Sequence, residues 1–483
     1  MNNGQEVGFA VSVRDFLVHV DGLPTVRIND MVEADNGARG WVNSLSETSI
    51  EVLMLDEAKI EPGQTFKRLP NRLGIPVGEF LLTRSINPLG LPIDGKGPLT
   101  NSKNVQILEL ERSAPGIESR EYIHEQFLTG ITVIDTIIPI GLGQRELIMG
   151  DAHSGKTQFL IDIIINQKGT GVVCIYASIG KPAVSVRNLI DVLAANGALY
   201  YTIVIATSSS EPAPLIFLTP KTAFSVAEYF QKKGHDVLLI LDDLGAHAKI
   251  YREIALLGNK APGRESYPGD IFYQHAHLLE RAGNFLKAFG GGSITALPAI
   301  ELNLNDFTTF IPTNLMSMTD GHLLFKASMR SQGQTPAIDI SLSVSRVGRQ
   351  TQEQVSNLLS TRVRQVLSAA ADLETIARFS SELSPETQLI LKRRDLILEV
   401  LKQEPFTPIP KGIQVALLAL PFTTFFQDKS KEFMEKYKKV LVKAFLEEPQ
   451  LIEIAKTYSK VDTDDELIKM LEGVKPVLAK LCP

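Results

Sequence analysis

Gly150-Asp151-Ala152-His153-Ser154-Gly155-Lys156-Thr157 has the spacing GxxxxGK[ST], which suits a loop wrapped around phosphate. The chemistry it supports is electrostatic. The glycines let backbone N–H groups turn inward, and the following helix presents the positive end of its dipole. The Lys156 ammonium neutralises β- and γ-phosphate charge, and the Thr157 hydroxyl can ligate Mg²⁺. The motif also has its required context, because an apolar strand runs in to Met149 and the helical Gln158-Phe-Leu-Ile-Asp-Ile-Ile-Ile runs out. All eight loop residues are therefore candidate ligands of ATP or ADP. His153 adds the option of a pH-sensitive contact, although a single histidine without a partner is more often incidental.

Further along, Leu238-Leu-Ile-Leu241-Asp242-Asp243 is an apolar strand ending in carboxylates, where a phosphate-loop protein needs an acid to hold the Mg²⁺ shell. Asp242 is the candidate. Asp243 stands directly before Leu244 and reads as the N-cap of the next helix.

These side chains need a frame, and 483 residues are enough for roughly two to four domains. Hydrophobic content of 44% and charged content of 22%, with 35 Gly and 26 Pro, exclude a disordered or collagen-like chain. A net charge of −6 argues against a protein that coats nucleic acid. The two cysteines, Cys174 and Cys482, lie far apart without metal-ligand spacing, which points to a reducing compartment. The start Met1-Asn2-Asn3-Gly4-Gln5-Glu6-Val7 has neither the charge nor the apolar stretch of an import signal. Apolar runs such as Leu238 to Leu241 are far short of the roughly 20 residues that span a bilayer, so membrane association is expected only through partner subunits.

Between Val7 and about Leu69, short alternating segments such as Phe9-Ala-Val-Ser-Val-Arg and Ser49-Ile-Glu-Val-Leu-Met-Leu are separated by Asp21-Gly22, Asn36-Gly37 and Pro62-Gly63. That pattern predicts an N-terminal β-barrel over residues 1–69. From residue 70 a Gly/Pro-rich connector leads into apolar runs that alternate with helical patterns: Arg145 to Met149, Gly171 to Ala177, Tyr201 to Ala206, Val237 to Leu241 and Ser293 to Leu297. Such alternation predicts a multidomain α/β chain whose phosphate-loop domain, residues 70–352, is a mostly parallel sheet with helices on both faces. Helical patterns at Glu374 to Ser381, Glu386 to Glu404 and Lys429 to Glu448 predict a C-terminal helical bundle over residues 353–483.

Longer motifs carry a resemblance. Val204-Ile-Ala with Pro212-Ala-Pro-Leu, Pro262-Gly-Arg-Glu-Ser-Tyr-Pro-Gly-Asp270, Leu278-Leu-Glu-Arg281 and Gly290-Gly-Gly-Ser-Ile-Thr-Ala-Leu-Pro298 occur in order. Ile311-Pro-Thr-Asn314, Thr319-Asp-Gly321 and Pro336-Ala-Ile-Asp-Ile-Ser-Leu-Ser-Val-Ser345 follow. Over most of its length the chain resembles the α/β family of rotary ATPases, as a divergent F-type member. The α type is indicated by Tyr200/Tyr201-Thr-Ile-Val, by Ser343-Val-Ser-Arg-Val-Gly, and by Ile179-Gly180-Lys181-Pro182. At that last place a catalytic β-type chain carries Gly-Glu to orient the attacking water, which an ammonium cannot do. The usual α residue there is glutamine, so Lys181 departs from both; it could meet the γ-phosphate or extend to solvent.

The resemblance implies a non-catalytic, regulatory α-type subunit that alternates with β-type catalytic subunits in a hexameric ring around a central γ-type shaft. It would hold Mg-nucleotide (ATP or ADP with Mg²⁺) and present Arg346 to the neighbouring catalytic site, with Ser343 setting that geometry. ATP synthesis or hydrolysis would be coupled to proton or sodium transport at the cytoplasmic face of a bacterial inner membrane, the chain being peripheral there. Relatives carry Arg-Gln in place of Ala152-His153, and arginine in place of Thr335 and His277. Of their two adenine-pocket glutamines, Lys402-Gln403-Glu404-Pro405 keeps only Gln403. Looser or less selective nucleotide binding is expected. Few residues precede the barrel, which implies an altered or absent contact with a δ-type stalk subunit. Two alternatives belong to other classes. A self-sufficient homohexameric ATPase of the protein-export type would need Gly-Glu at positions 180 and 181. An RNA-binding phosphate-loop ring is disfavoured by the acidic balance and by the lack of interleaved aromatic and basic residues in 7–69.

Overall fold

The computed structural model describes residues 6–47, 49–99, 105–304, 306–377 and 384–482. The opening five residues, on which the expectation about a δ-type contact largely rests, lie outside them, as does the end of the helix expected through Ser381. The described chain forms two compact units: residues 1–122, 143–152 and 167–322, and residues 123–142, 153–166 and 323–483.

The first unit opens with the barrel. Six strands close in the spatial order Val7–Arg14, Leu17–Asp21, Ile50–Met54, Arg39–Leu45, Asp30–Ala34 and Thr65–Arg72. Alternation at Val18 and Val20, joined by Val32, Val42, Val52 and Phe66, fills the barrel interior. Beyond it, a run of parallel strands is ordered Glu146–Asp151, Ser293–Leu302, Val237–Asp242, Val173–Lys181, Thr202–Ser208 and Ser85–Ile86. All six residues of Val237–Asp242 are buried, as a central strand covered on both faces requires. The parallel sheet expected from the apolar runs is therefore present, and a short antiparallel strand at Gly283–Asn284 is added to it.

The helix Leu244–Leu257 follows the Asp242–Asp243 pair and carries His247 into the core of this unit. His247 Nδ1 lies 3.1 Å from His275 Nε2, and His247 Nε2 lies 3.2 Å from the Phe217 carbonyl oxygen. Burial pushes both imidazoles below their ordinary pKa, His275 to about 4, and for His247 the neighbouring His275 adds to the burial. The unfolded chain takes up the His275 proton near pH 6.5, while the folded unit refuses it until about pH 4, and His247 is shifted in the same direction. The stabilising effect is therefore present above pH 6.5 and is lost as pH falls toward 4. On acidification over that window, wild type should lose about 3 kcal/mol more unfolding free energy than His275→Gln. Denaturant titrations of both proteins at the two ends of the window check this, and equal losses would refute it.

The second unit is helical after Gln354. Gln354–Ala377, Pro385–Leu401, Lys411–Ala419, Lys431–Glu447, Pro449–Thr457, Asp464–Gly473 and Lys475–Leu481 follow one another. Ser384 and Thr463 supply side-chain caps by accepting from Thr387 N and Glu466 N. The helix expected to reach Glu404 ends at Leu401, and the following segment runs through Pro405, which removes a donor. Among the described residues, no helix is long and apolar enough to cross a membrane.

Candidate functional site

In the first unit, the strands Val173–Lys181 and Val237–Asp242 are direct neighbours in parallel register, with Ser178 opposite Asp242. Their C-terminal ends therefore meet, at the edge where α/β sheets bind ligands. The pairing of Val173–Lys181 with Thr202–Ser208 shifts between Ser178 and Lys181, and Gly180, at φ 61°, supplies the left-handed residue there. Lys181 Nζ stands 3.0 Å from Asp242 Oδ1 and 2.9 Å from Asp243 Oδ2. Tyr176 donates its hydroxyl to Asp242 Oδ2 at 2.7 Å. Asp243 Oδ1 accepts from Ala246 N at 2.6 Å and caps the helix Leu244–Leu257.

Burial opposes charge on Lys181, but Asp242 and then Asp243 outweigh it and raise the ammonium above its ordinary pKa. Burial and the neighbouring Asp242 hold the Tyr176 phenol protonated, well above its usual range. The solvent-extended option for Lys181 does not hold, because its ammonium is bound to two carboxylates. Asp243 is the helix cap the sequence suggested, and also a partner of Lys181.

The expected magnesium pair falls in different units, Asp242 in the first and Thr157 in the second. Both Asp242 carboxylate oxygens already accept from protein donors. Each of these oxygens keeps a second lone pair, so Asp242 can still accept from a water of a hydrated Mg²⁺.

The phosphate loop joins the strand Glu146–Asp151 to the helix Lys156–Asn166. Gly150, Asp151 and Ala152 belong to the first unit, and His153 to Thr157 to the second. His153 adopts φ 59° and Gly155 φ 100°; a side chain at the second would be strained and would meet the Arg330 guanidinium at 3.2 Å. Ser154 is buried, Ala152, His153 and Thr157 are exposed, and Lys156 Nζ lies 3.5 Å from Ser154 Oγ. Arg330 donates to the His153 carbonyl at 3.0 Å. No sequence motif marks this arginine, which lies 177 residues from the loop.

Within the second unit the loop borders a cleft with an open volume of about 560 Å³, lined among others by Ser154, Gln158, Asp162, Arg330, Pro336 and Phe406. Gln403 also lines it, but its amide is committed. Its Oε1 accepts from Thr132 N at 2.9 Å and Thr132 Oγ1 at 3.0 Å, and its Nε2 donates to the carbonyls of Gly130 and Thr407, both at 2.7 Å. Gln403 thus ties cleft walls together and has no amide group left over for a base. Asp162 accepts from Phe406 N and Gln158 Nε2, both at 3.0 Å, and burial outweighs these bonds to raise its carboxyl above the ordinary value.

Also in the second unit, Ser343 is buried; its Oγ donates to the Asp339 carbonyl at 2.6 Å and accepts from Leu324 N at 3.0 Å. Ser345 Oγ donates to the Pro139 carbonyl at 2.6 Å and accepts from Gly348 N at 3.2 Å. A Cβ on Gly348 would fall 1.7 Å from the Pro139 oxygen, so only glycine fits there. Arg346 lies within this pinned segment, is exposed, and has no hydrogen-bond or ion-pair partner among the described residues. The result is an unpaired guanidinium on a fixed backbone.

Two family models match the chain. One is described as the ATP synthase alpha/beta family, nucleotide-binding domain, and covers residues 130–345. The other is described as the ATP synthase alpha/beta chain, C terminal domain, and covers residues 352–475.

Proposed function

The chain belongs to the ATP synthase alpha/beta family, and from that premise we propose that it is an α-type subunit that binds ATP or ADP without hydrolysing it and serves a catalytic neighbour. The observation that carries this reading is the ammonium of Lys181 on Asp242 and Asp243. Hydrolysis needs a group that accepts a hydrogen bond from the attacking water and orients it. A lysine ammonium has three donors and no acceptor, and here it is also bound to two acids.

Binding is a separate matter. The glycines, Lys156 and Thr157 of the phosphate loop need only present donors and positive charge to bind the phosphates. The cleft bordered by Pro336, Phe406 and Asp162 then takes the base. Arg346 supplies a guanidinium to the γ-phosphate held by a β-type neighbour, and Ser343 anchors the segment that carries it. In this reading the chain alternates with β-type subunits around a γ-type shaft, reaches a membrane only through partner subunits, and contributes to ATP synthesis or hydrolysis coupled to ion transport.

Purified alone, the chain is expected to bind ATP and to show negligible turnover, measured by phosphate release beside a Lys156→Ala control. Robust hydrolysis that disappears in Lys156→Ala would overturn the assignment and favour the self-sufficient homohexameric motor.

A further inference from the structure

We propose that the Arg330 guanidinium binds the α-phosphate of the nucleotide held by this chain, as a charged contact supplied from outside the phosphate motif. The inference rests on the nucleotide-binding reading above and names a residue of that site which the motif does not contain.

Every group involved lies in the second unit: His153 to Thr157, the helix Lys156–Asn166, the cleft, and the short helix Ala327–Ser331 that carries Arg330. Arg330 Nη1 donates to the His153 carbonyl at 3.0 Å. It also stands over Gly155, where a Cβ would come within 3.2 Å of it. A guanidinium has five N–H donors in a rigid fork, and among the described residues Arg330 makes no other hydrogen bond and no ion pair. The residue is exposed. One end of the fork is thus fixed to the loop backbone, while the other donors and the whole positive charge stay open at the rim of the cleft.

The charge of the cleft gives that position its meaning. Of the described residues that line it, Arg330 alone is basic, whereas Asp162 and Glu404 are acidic. Lys156 reaches the β- and γ-phosphates, which leaves Arg330 as the lining cation for the α-phosphate. Helix geometry places it there. Asp162 lies about 9 Å beyond Lys156 along the helix axis, and Phe406 is fixed beside Asp162 by the bond from its N–H. A nucleotide with its β-phosphate at the helix N-terminus and its base against Phe406 must pass its α-phosphate and ribose between these two levels, beginning where Arg330 stands over Gly155. An arginine fork can pair with two phosphate oxygens at once, and such charge-assisted bonds are about twice as strong as neutral ones. The bond to His153 holds the fork in place beforehand, which reduces the entropy lost on binding.

The test titrates the full chain, in excess Mg²⁺, with ADP and with the two diastereomers of ADP that carry sulfur on the α-phosphorus. Sulfur replaces a different non-bridging oxygen in each, so a group that touches the α-phosphate contributes to telling them apart, and a group that only supports the loop does not. Arg330→Met should bind ADP at least about 10-fold more weakly than wild type, and the wild-type preference for one diastereomer should fall by at least about 3-fold. Arg330→Lys should lie between the two in ADP affinity, because an ammonium keeps the charge without the fork. It also serves for the comparison of diastereomers if Arg330→Met binds too weakly to measure. Unchanged ADP affinity in Arg330→Met would overturn the inference. An equal weakening of ADP and both analogues, with the preference retained, would also overturn it, since Arg330 would then only support the loop through His153. No ADP binding by wild type would instead remove the nucleotide-binding reading on which it stands, so the two failures are distinguishable.

Discussion

Arg346→Ala, placed in an assembled ring of this chain with its catalytic partner, is expected to lower multisite turnover by about 10³–10⁵ and to leave nucleotide occupancy nearly unchanged. Phosphoryl transfer spreads negative charge over the equatorial oxygens, and an arginine supplied in trans stabilises that charge mainly in the transition state. An arginine in this role should be uncommitted within its own chain and held on a rigid backbone. Arg346 meets both conditions: it is exposed without a partner among the described residues, and Ser343, Ser345 and Gly348 pin the segment on either side of it. Arg346→Lys should rescue poorly, because a point charge lacks the planar fork of a guanidinium. Steady-state hydrolysis and bound nucleotide in wild-type and mutant rings are the measurements, with ring integrity checked by mass. Near-normal turnover in intact Arg346→Ala rings would leave the residue a structural role only.

The second large effect is expected in the opposite quantity. Lys156→Ala should weaken nucleotide binding by the purified chain about 10²-fold, through loss of charge-assisted bonds to two phosphates. The structure offers a position suited to this, with the ammonium 3.5 Å from Ser154 Oγ on the loop. Because the chain's own site performs no chemistry in the proposed reading, a Lys156→Ala ring should keep most of its turnover while losing occupancy at this subunit. Equilibrium binding to the isolated chain and hydrolysis by the ring, measured on one preparation, separate the two variants. Unchanged affinity in Lys156→Ala would remove the loop from the binding site.

Much of this molecule is written in local patterns. Alternation at Val18 and Val20 marks a strand with one buried side, and the unbroken apolar run at Val237 to Leu241 marks one buried on both. Residues 150–157 carry a complete phosphate motif because the loop's chemistry is contained in consecutive residues. The family is legible for a similar reason, since its motifs are contiguous and ordered.

What only the tertiary structure decided concerns pairs far apart in the chain. Nothing in the sequence orders the strand ending at Lys181 beside the strand ending at Asp242. Only the register that sets Ser178 opposite Asp242 brings the ammonium onto both acids. Gln403 reads as an available pocket amide until the fold brings Thr132, Gly130 and Thr407 within reach of it. Arg330 carries no signal at all, because the carbonyl it meets at His153 is a backbone group that any residue would provide. Local pattern determines which element a residue joins. Which donor meets which acceptor is set by strand order and register, and so by contacts between segments that the sequence does not place side by side.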